Sequence, residues 1–417
     1  MTQPTNLLRL TFQFLAPLSS VFLMVFGNAF FTTFLSVFLD SRGYSNNEIG
    51  LLHSAYFFGI LLGSFQMERI IKRVGHIQAL AIFGSLATSA ILLQALYPVF
   101  PAWVFLRFIV GLSISALYIV IESWLLFYSD FNTRGKVMSL YMICLTTSQA
   151  ISQQVLGWID INTFTPFLAS ALFTSLSVIP VGFSTNRISL PEAAEPIRFL
   201  SIIKISPFGV IGCFTTGLLL STIYSFFPIL SVSKDIFSRT LMTTTLAGGV
   251  FLQLPIGRLS DYYERRKCFL ATILAALLLS ILAFILPEMT SINFLILAFF
   301  LGGFCFTLYP LSVALVCDRL DASALTTAAA FLLIAFGIGS VTGPIISSTV
   351  AEIYGINSLF LYFSILLSLL GGVGIWSFLK RPSIPEEDKS EFIPLFNTTP
   401  IAFELDPRID SHGEEHN

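Results

Sequence analysis

Charge is what this chain has least of. Asp, Glu, Lys and Arg together make up 11% of its 417 residues, less than half of what an ordinary soluble domain carries. The formal net charge of -2, with no basic stripe outside short loops, argues against a nucleic-acid partner. No GxxxxGK[ST] stretch is present, which argues against ATP-driven pumping by this chain. HExxH and metal-spaced Cys/His sets are also missing, as is any pair of loop carboxylates suited to hydrolysis. No catalytic residue, metal or cofactor is therefore expected, and the chain is not read as an enzyme. The cysteines, Cys144, Cys213, Cys268, Cys305 and Cys317, lie in or beside apolar runs without CxxC spacing. They read as small packing residues, not as disulfides or metal ligands.

What the chain does have is apolar surface: 55% hydrophobic residues, 43 of them Phe, and a mean hydropathy of +0.83. A soluble interior cannot hide that much, so the class is integral membrane. A spanning helix needs roughly 20 apolar residues. Charge-free windows at 10–39, 49–67, 137–159, 161–186, 205–233, 240–257, 268–287, 289–317, 322–351 and 353–379 each supply one. Two more fall within 74–106 and about 102–128, the latter interrupted by Arg107 and Glu122. Twelve helices put both termini on one side. Of the 22 Lys and Arg, eighteen then fall on the terminal side and three (Arg42, Lys234, Arg239) on the other, with Arg107 within the membrane. By the positive-inside rule both termini are cytoplasmic. The run from Leu10 to Leu39 is too long for a signal peptide and reads as a retained first helix.

The Pro- and charge-containing stretch 185–204 divides the helices six and six. The expected units are a six-helix bundle over 1–184, a cytoplasmic linker over 185–204, a second six-helix bundle over 205–380, and a tail over 381–417. The acidic, polar composition of that tail predicts disorder. Two halves running the same way should be related by a pseudo-two-fold axis along the membrane normal.

One short loop stands out. Gly257-Arg-Leu-Ser-Asp261-Tyr-Tyr-Glu264-Arg265-Arg266-Lys267 crowds six charges between two apolar runs, and a weaker counterpart, Gly63 through Glu68, Arg69, Lys72, Arg73 and His76, precedes it by about 190 residues. The loop, the twelve helices and the six-plus-six division resemble the major facilitator superfamily of secondary transporters. Arg107-Phe-Ile-Val-Gly111 resembles a second signature of that family, and Asp130-x3-Arg134-Gly135 its turn after the fourth helix. The first-half loop departs from the pattern, with Lys72 where an aspartate is usual. Tyr118-Ile-Val-Ile-Glu122-Ser-Trp124, Arg73-Val-Gly-His76, Leu308-Tyr309-Pro310-Leu311 and Gly337-x-Gly339-x3-Gly343-Pro344 are closer to the bacterial YcaD-like subgroup. The glycine-proline signature of antiporters is absent from the fifth helix, which reads Gln149-Ala-Ile-Ser-Gln153-Gln154. The resemblance implies an all-α membrane protein of the MFS fold in a bacterial inner membrane, acting as a monomer. It implies alternating-access transport of a small solute, coupled to protons. A non-transporting sensor or scaffold that keeps the fold and works through its tail is the alternative.

In the fourth span, Arg107, Gly111, Ser115, Tyr118 and Glu122 recur at helical spacing and stay within an arc of roughly 80°. A bare charge at mid-bilayer costs at least roughly 2.5–3.5 kcal/mol, so two on one face call for water or partners. The functional reading is a cavity-lining helix, with Arg107 binding an anionic or acceptor group and Glu122 carrying a proton. The competing reading is a pair of charges that tie neighbouring helices together. Asn28, Tyr56, Gln149, Gln153, Tyr224, Gln253 and Tyr309 are candidates for the same cavity, and together they argue for a wet interior, although each alone is more often a helix–helix contact. His53 can carry a proton by its ordinary titration range, or can serve as an interfacial hydrogen-bonding residue. For gating, Asp261 with Arg265 and Arg266 can meet Asp318 near Gly257, and Arg69 or Arg73 can meet Asp130. These pairs would open and close the cytoplasmic side, or would merely keep the loops inside.

Overall fold

The computed structural model describes residues 14–129, 131–182, 203, 205–234, 236–320, 322–380, 392 and 398–404. Asp130, most of the 185–204 linker and most of the tail lie outside them. The described chain is all helix. Its twelve long helices are α1 (Leu15–Ser41), α2 (Asn46–Val74), α3 (His76–Leu96), α4 (Phe100–Tyr128), α5 (Phe131–Leu156) and α6 (Thr165–Gly182, interrupted at Ser177), then α7 (Pro207–Ser233), α8 (Ser238–Tyr262), α9 (Arg265–Ile285), α10 (Ser291–Cys317), α11 (Ala322–Tyr354) and α12 (Leu359–Lys380). A thirteenth, α13 (Pro400–Glu404), is one turn long.

The turns between them have local causes. Ser45 caps α2, accepting from the Glu48 N–H while the Glu48 carboxylate accepts from the Ser45 N–H at 2.8 Å, a reciprocal capping box. Gly75 turns α2 into α3 at φ 89°, in the left-handed region that a side chain resists. Ten of the helices are long and apolar enough to cross a membrane. The remaining two, α5 and α8, are 26 and 25 residues long, which suffices for a crossing, but they carry more polar residues. They face each other: the Gln154 amide donates to Thr243 Oγ1 at 2.8 Å. Part of that polarity is spent on this contact between them.

The helix pairings of the first half recur in the second. α2 packs on α4 as α8 packs on α10, α1 on α5 as α7 on α11, and α3 on α6 as α9 on α12. The tightest of these pairings are made by glycine. A Cβ on Gly59 would overlap the Phe108 carbonyl, and one on Gly111 the Tyr56 carbonyl; in the second half Gly248 meets the Phe299 carbonyl and Gly302 the Thr245 carbonyl. Backbones that close exchange dispersion contacts along their whole crossing, which is how helices associate where lipid removes the hydrophobic drive.

The halves meet along α2–α11, α5–α8 and α1–α7. The polar contacts of the first two seams lie at the end away from the chain termini. The Asn46 N–H donates to Glu352 Oε2 at 2.8 Å, Thr349 donates to Asn47, and a Cβ on Gly157 would meet Arg239.

A cavity between the halves

Two cavities open between the halves, of about 180 and about 130 Å³. They share Gln149, Tyr224 and Leu246 in their walls. The more polar one is bounded by Asn28, Thr32, Thr33, Tyr56, Tyr118 and Gln153, and the more apolar one by Met142, Leu220, Gln253, Phe306 and Tyr309 among others. Each of the seven residues outside α4 named from the sequence as cavity candidates therefore stands in a cavity wall. In the polar cavity Asn28 Nδ2 donates to the Tyr56 hydroxyl at 2.7 Å. Where the cavities join, the Tyr224 hydroxyl approaches Gln149 Oε1 at 3.4 Å, from the second half to the first. Asn28 Oδ1, Gln153 Oε1 and the Tyr309 hydroxyl are buried without a hydrogen-bond partner. Orphans of this kind are uncommon in folded proteins, and each calls for a reason.

α4 behaves differently from the expectation of a cavity-lining face. Of its polar stripe, only Tyr118 stands in a cavity wall. Gly111 and Ser115 are taken up by the close approach of α2, with the Ser64 and Ser115 hydroxyls 3.2 Å apart. Arg107 is fully buried one layer behind the wall. Its guanidinium lies over Phe31 and Tyr56, 5.0 and 4.7 Å from the ring centroids, and Nη2 donates to Thr32 Oγ1 at 3.3 Å. Nε and Nη1 have no partner, and no described carboxylate pairs with this cation. Aromatic faces compensate a desolvated guanidinium by about 2 kcal/mol or more, but they leave the two N–H donors unanswered. Because Tyr56 and Thr32 both line the polar cavity, Arg107 is separated from it by a single side chain.

Glu122 is also fully buried. One oxygen accepts the Tyr141 hydroxyl at 2.5 Å, and the other accepts the hydroxyl of Thr399 from the tail. His53 lines neither cavity; its Nε2 lies 2.8 Å from Ser36 Oγ, tying α2 to α1.

Of the pairs expected in the basic loops, that of Arg265 with Asp261 and Asp318 is present, whereas Arg266 turns elsewhere. Arg265 bridges two aspartates, Asp318 at 2.6 Å and Asp261 at 2.8 Å. Arg266 pairs with Glu264 at 3.2 Å and reaches the Ser377 carbonyl. This network joins α8, α9, α10 and α12, all of one half, so it braces that half internally. In the first half Arg69 and Arg73 are exposed, and Lys72 pairs with Glu68 on the same helix. Their expected partner Asp130 lies outside the described residues. Gly257 has a different neighbour altogether: a Cβ there would overlap the ring of Phe392. Phe392 and residues 398–404, within a tail whose composition predicts disorder, lie against the bundle, and Thr399, Ile401 and Ala402 are buried.

The family model of the Major Facilitator Superfamily matches residues 18–238 and 235–402. The chain belongs to the Major Facilitator Superfamily. It is thus a multi-pass membrane protein of a transporter family and not an enzyme. Among curated relatives, the uncharacterized MFS-type transporter YcaD of Escherichia coli (strain K12) is 24% identical over 383 residues, 89% of this chain and 97% of that protein. An uncharacterized MFS-type transporter of Yersinia pestis (strain Pestoides F) is 25% identical over 378 residues, 88% and 94% respectively. Among solved structures, the nucleoside transporter NupG aligns with a TM-score of 0.76 at 15% identity, covering 88% of this chain and 99% of that one. A bacterial homolog of the human lysosomal transporter Spinster, inward-facing and occupied, aligns with a TM-score of 0.74 at 13% identity, over 91% and 98%. At these identities the two structures establish the shared fold.

Sequence reasoning did not single out Thr32 and Thr33 in the cavity wall or Tyr141 beside Glu122. Thr32 and Thr33 sit one turn beyond Asn28 on α1, a helical spacing that marks them out. Tyr141 carries no comparable local signal, because its partner Glu122 is on another helix.

Proposed function

We propose that this protein is a secondary active transporter that moves a small solute by alternating access, coupled to protons, in a bacterial inner membrane with both termini cytoplasmic. The observation that carries the reading is the paired cavity whose walls come from both halves and join at Gln149 and Tyr224. A solute held there contacts both bundles at once, which is what lets its binding free energy bias their relative position. Asn28, Tyr56, Tyr118, Gln149, Gln153, Tyr224, Gln253 and Tyr309 form the binding wall. The orphaned Asn28 Oδ1 and Gln153 Oε1 are acceptors, so they favour a solute bearing hydrogen-bond donors. The apolar cavity beyond them takes a less polar part of the same molecule. Arg107 acts through Tyr56 and Thr32, and its two unanswered N–H groups suit an anionic or acceptor group that reaches past the tyrosine. Glu122 is the proton carrier. His53, bonded to Ser36 away from the cavity, serves the packing of α1 on α2.

The test is counterflow in proteoliposomes, with solutes chosen by a ligand-stabilisation screen of the purified protein. Glu122→Gln should keep exchange but lose accumulation driven by a pH gradient. A solute that stabilises the protein yet shows no counterflow would favour a sensor over a transporter.

A further inference from the structure

The tail segment 398–402 lies beside the polar cavity at the end that carries the chain termini. α13 packs on α4 of the first half and on α11 of the second. The polar contacts of the α2–α11 and α5–α8 seams lie at the opposite end, so this one turn bridges the halves where those contacts do not reach. Its side chains are not surface decoration. Ile401 is 5% exposed and Ala402 1%, and Ile401 belongs to the hydrophobic core. Thr398 stands in the wall of the polar cavity beside Asn28, Tyr56, Tyr118 and Gln153. The Thr399 hydroxyl donates to Glu122 Oε2, leaving neither oxygen of that carboxylate free of a donor. A second anchor holds the same tail further back. The Phe392 N–H donates to Asp261 Oδ1 at 2.9 Å, and the Phe392 ring sits on Gly257, where any side chain would displace it.

We infer that this segment is a built-in plug: docked between α4 and α11, it closes the cavity at the terminal end and covers Glu122, and it withdraws for transport to proceed. The chemistry is specific to the docked state. A carboxylate accepts from Thr399, so a second negative charge at that position would repel it. An ionised side chain at position 401 would lose its hydration in the buried seat. Either change should eject the segment without touching the cavity wall.

The experiment needs no knowledge of the solute. In full-length protein with its native cysteines replaced, Gln149→Cys reports cavity access and Ala402→Cys reports docking. Both are read by the rate of modification with a negatively charged methanethiosulfonate in detergent, and Asn162→Cys in an exposed loop calibrates the intrinsic rate. With the tail unchanged, both reporters should react more slowly than the loop control. Thr399→Asp and, separately, Ile401→Asp should raise both rates about tenfold or more, the factor that one charge-assisted hydrogen bond is worth. Thr399→Val, which keeps the shape and removes the donor, should fall between. An unchanged thermal transition in these variants shows that the bundle is intact; a collapsed one leaves Thr399→Val to decide, by the same two rates. The idea is overturned if Ala402→Cys reacts as fast as the loop control with the tail unaltered, or if Gln149→Cys reacts at one rate in every tail variant.

Discussion

α4 and α10 occupy equivalent places in the two halves, and they have diverged in one respect. Gly111 and Gly302 make the same backbone contact with their partner helices, and Tyr118 and Tyr309 follow them by the same seven residues into the cavity wall. Around that shared frame α4 carries Arg107 and Glu122 inside its span, whereas α10 is free of charge from Ser291 to Cys317. The second half keeps its charges at the rim, where Arg265 clasps Asp261 and Asp318. The two halves share one scaffold. Ionisable groups lie within the span of α4 in one half and at the helix ends in the other, so the halves hold their charges in different places.

That contrast can be broken or sharpened by substitution. The largest effect should come from Glu122→Gln, which is expected to reduce gradient-driven accumulation to the level of passive exchange. A variant that still concentrates solute would place the coupling group elsewhere. Next, Arg265→Ala should take the cation away from the buried Asp318 carboxylate and cost up to about 3–5 kcal/mol of stability, seen as a lower denaturation midpoint of the purified protein. If the midpoint does not move, the rim network is not a brace. Arg107→Met should separate the two halves' logic most clearly. It removes a buried cation with two orphaned donors, so stability should hold or rise, while solute affinity falls about tenfold. Lost stability with unchanged affinity would make α4 a mirror of the rim network. Tyr118→Phe and Tyr309→Phe should each weaken binding by about three- to tenfold, the worth of one neutral hydrogen bond; an effect in only one of them would show that the solute leans on one half. Lys72→Ala should change stability by less than about 1 kcal/mol, because its pair with Glu68 is solvent-exposed.

Much of this was legible before any coordinates. Helix number follows from charge-free run length, because lipid punishes every exposed backbone polar group. The cavity residues were legible because an amide or tyrosine inside an apolar helix is costly unless something polar faces it. The direction of α4 was not legible. Arg107, Gly111 and Ser115 share a face with Tyr118, but what that face meets depends on Gly59 and Gly63 of α2, and helical periodicity is silent about neighbours. The tail escaped for a related reason. Its acidic, proline-containing composition signals solvation, and its apolar residues, Phe392, Ile401 and Ala402 among them, come in runs too short to register as a span. Its decisive contact, Thr399 with Glu122, joins residues on unconnected elements.

The long Tyr224–Gln149 approach at the junction of the two cavities has a consequence for how cargo is noticed. It is the one described hydrogen bond that ties α5 to α7 within the cavity walls, and at 3.4 Å it is weak. A molecule settling between these side chains replaces a loose tether with its own contacts to both, so arrival itself can draw the two bundles together. In the binding role proposed for Gln149 and Tyr224, an empty protein would have no such incentive, and rocking without freight would be discouraged.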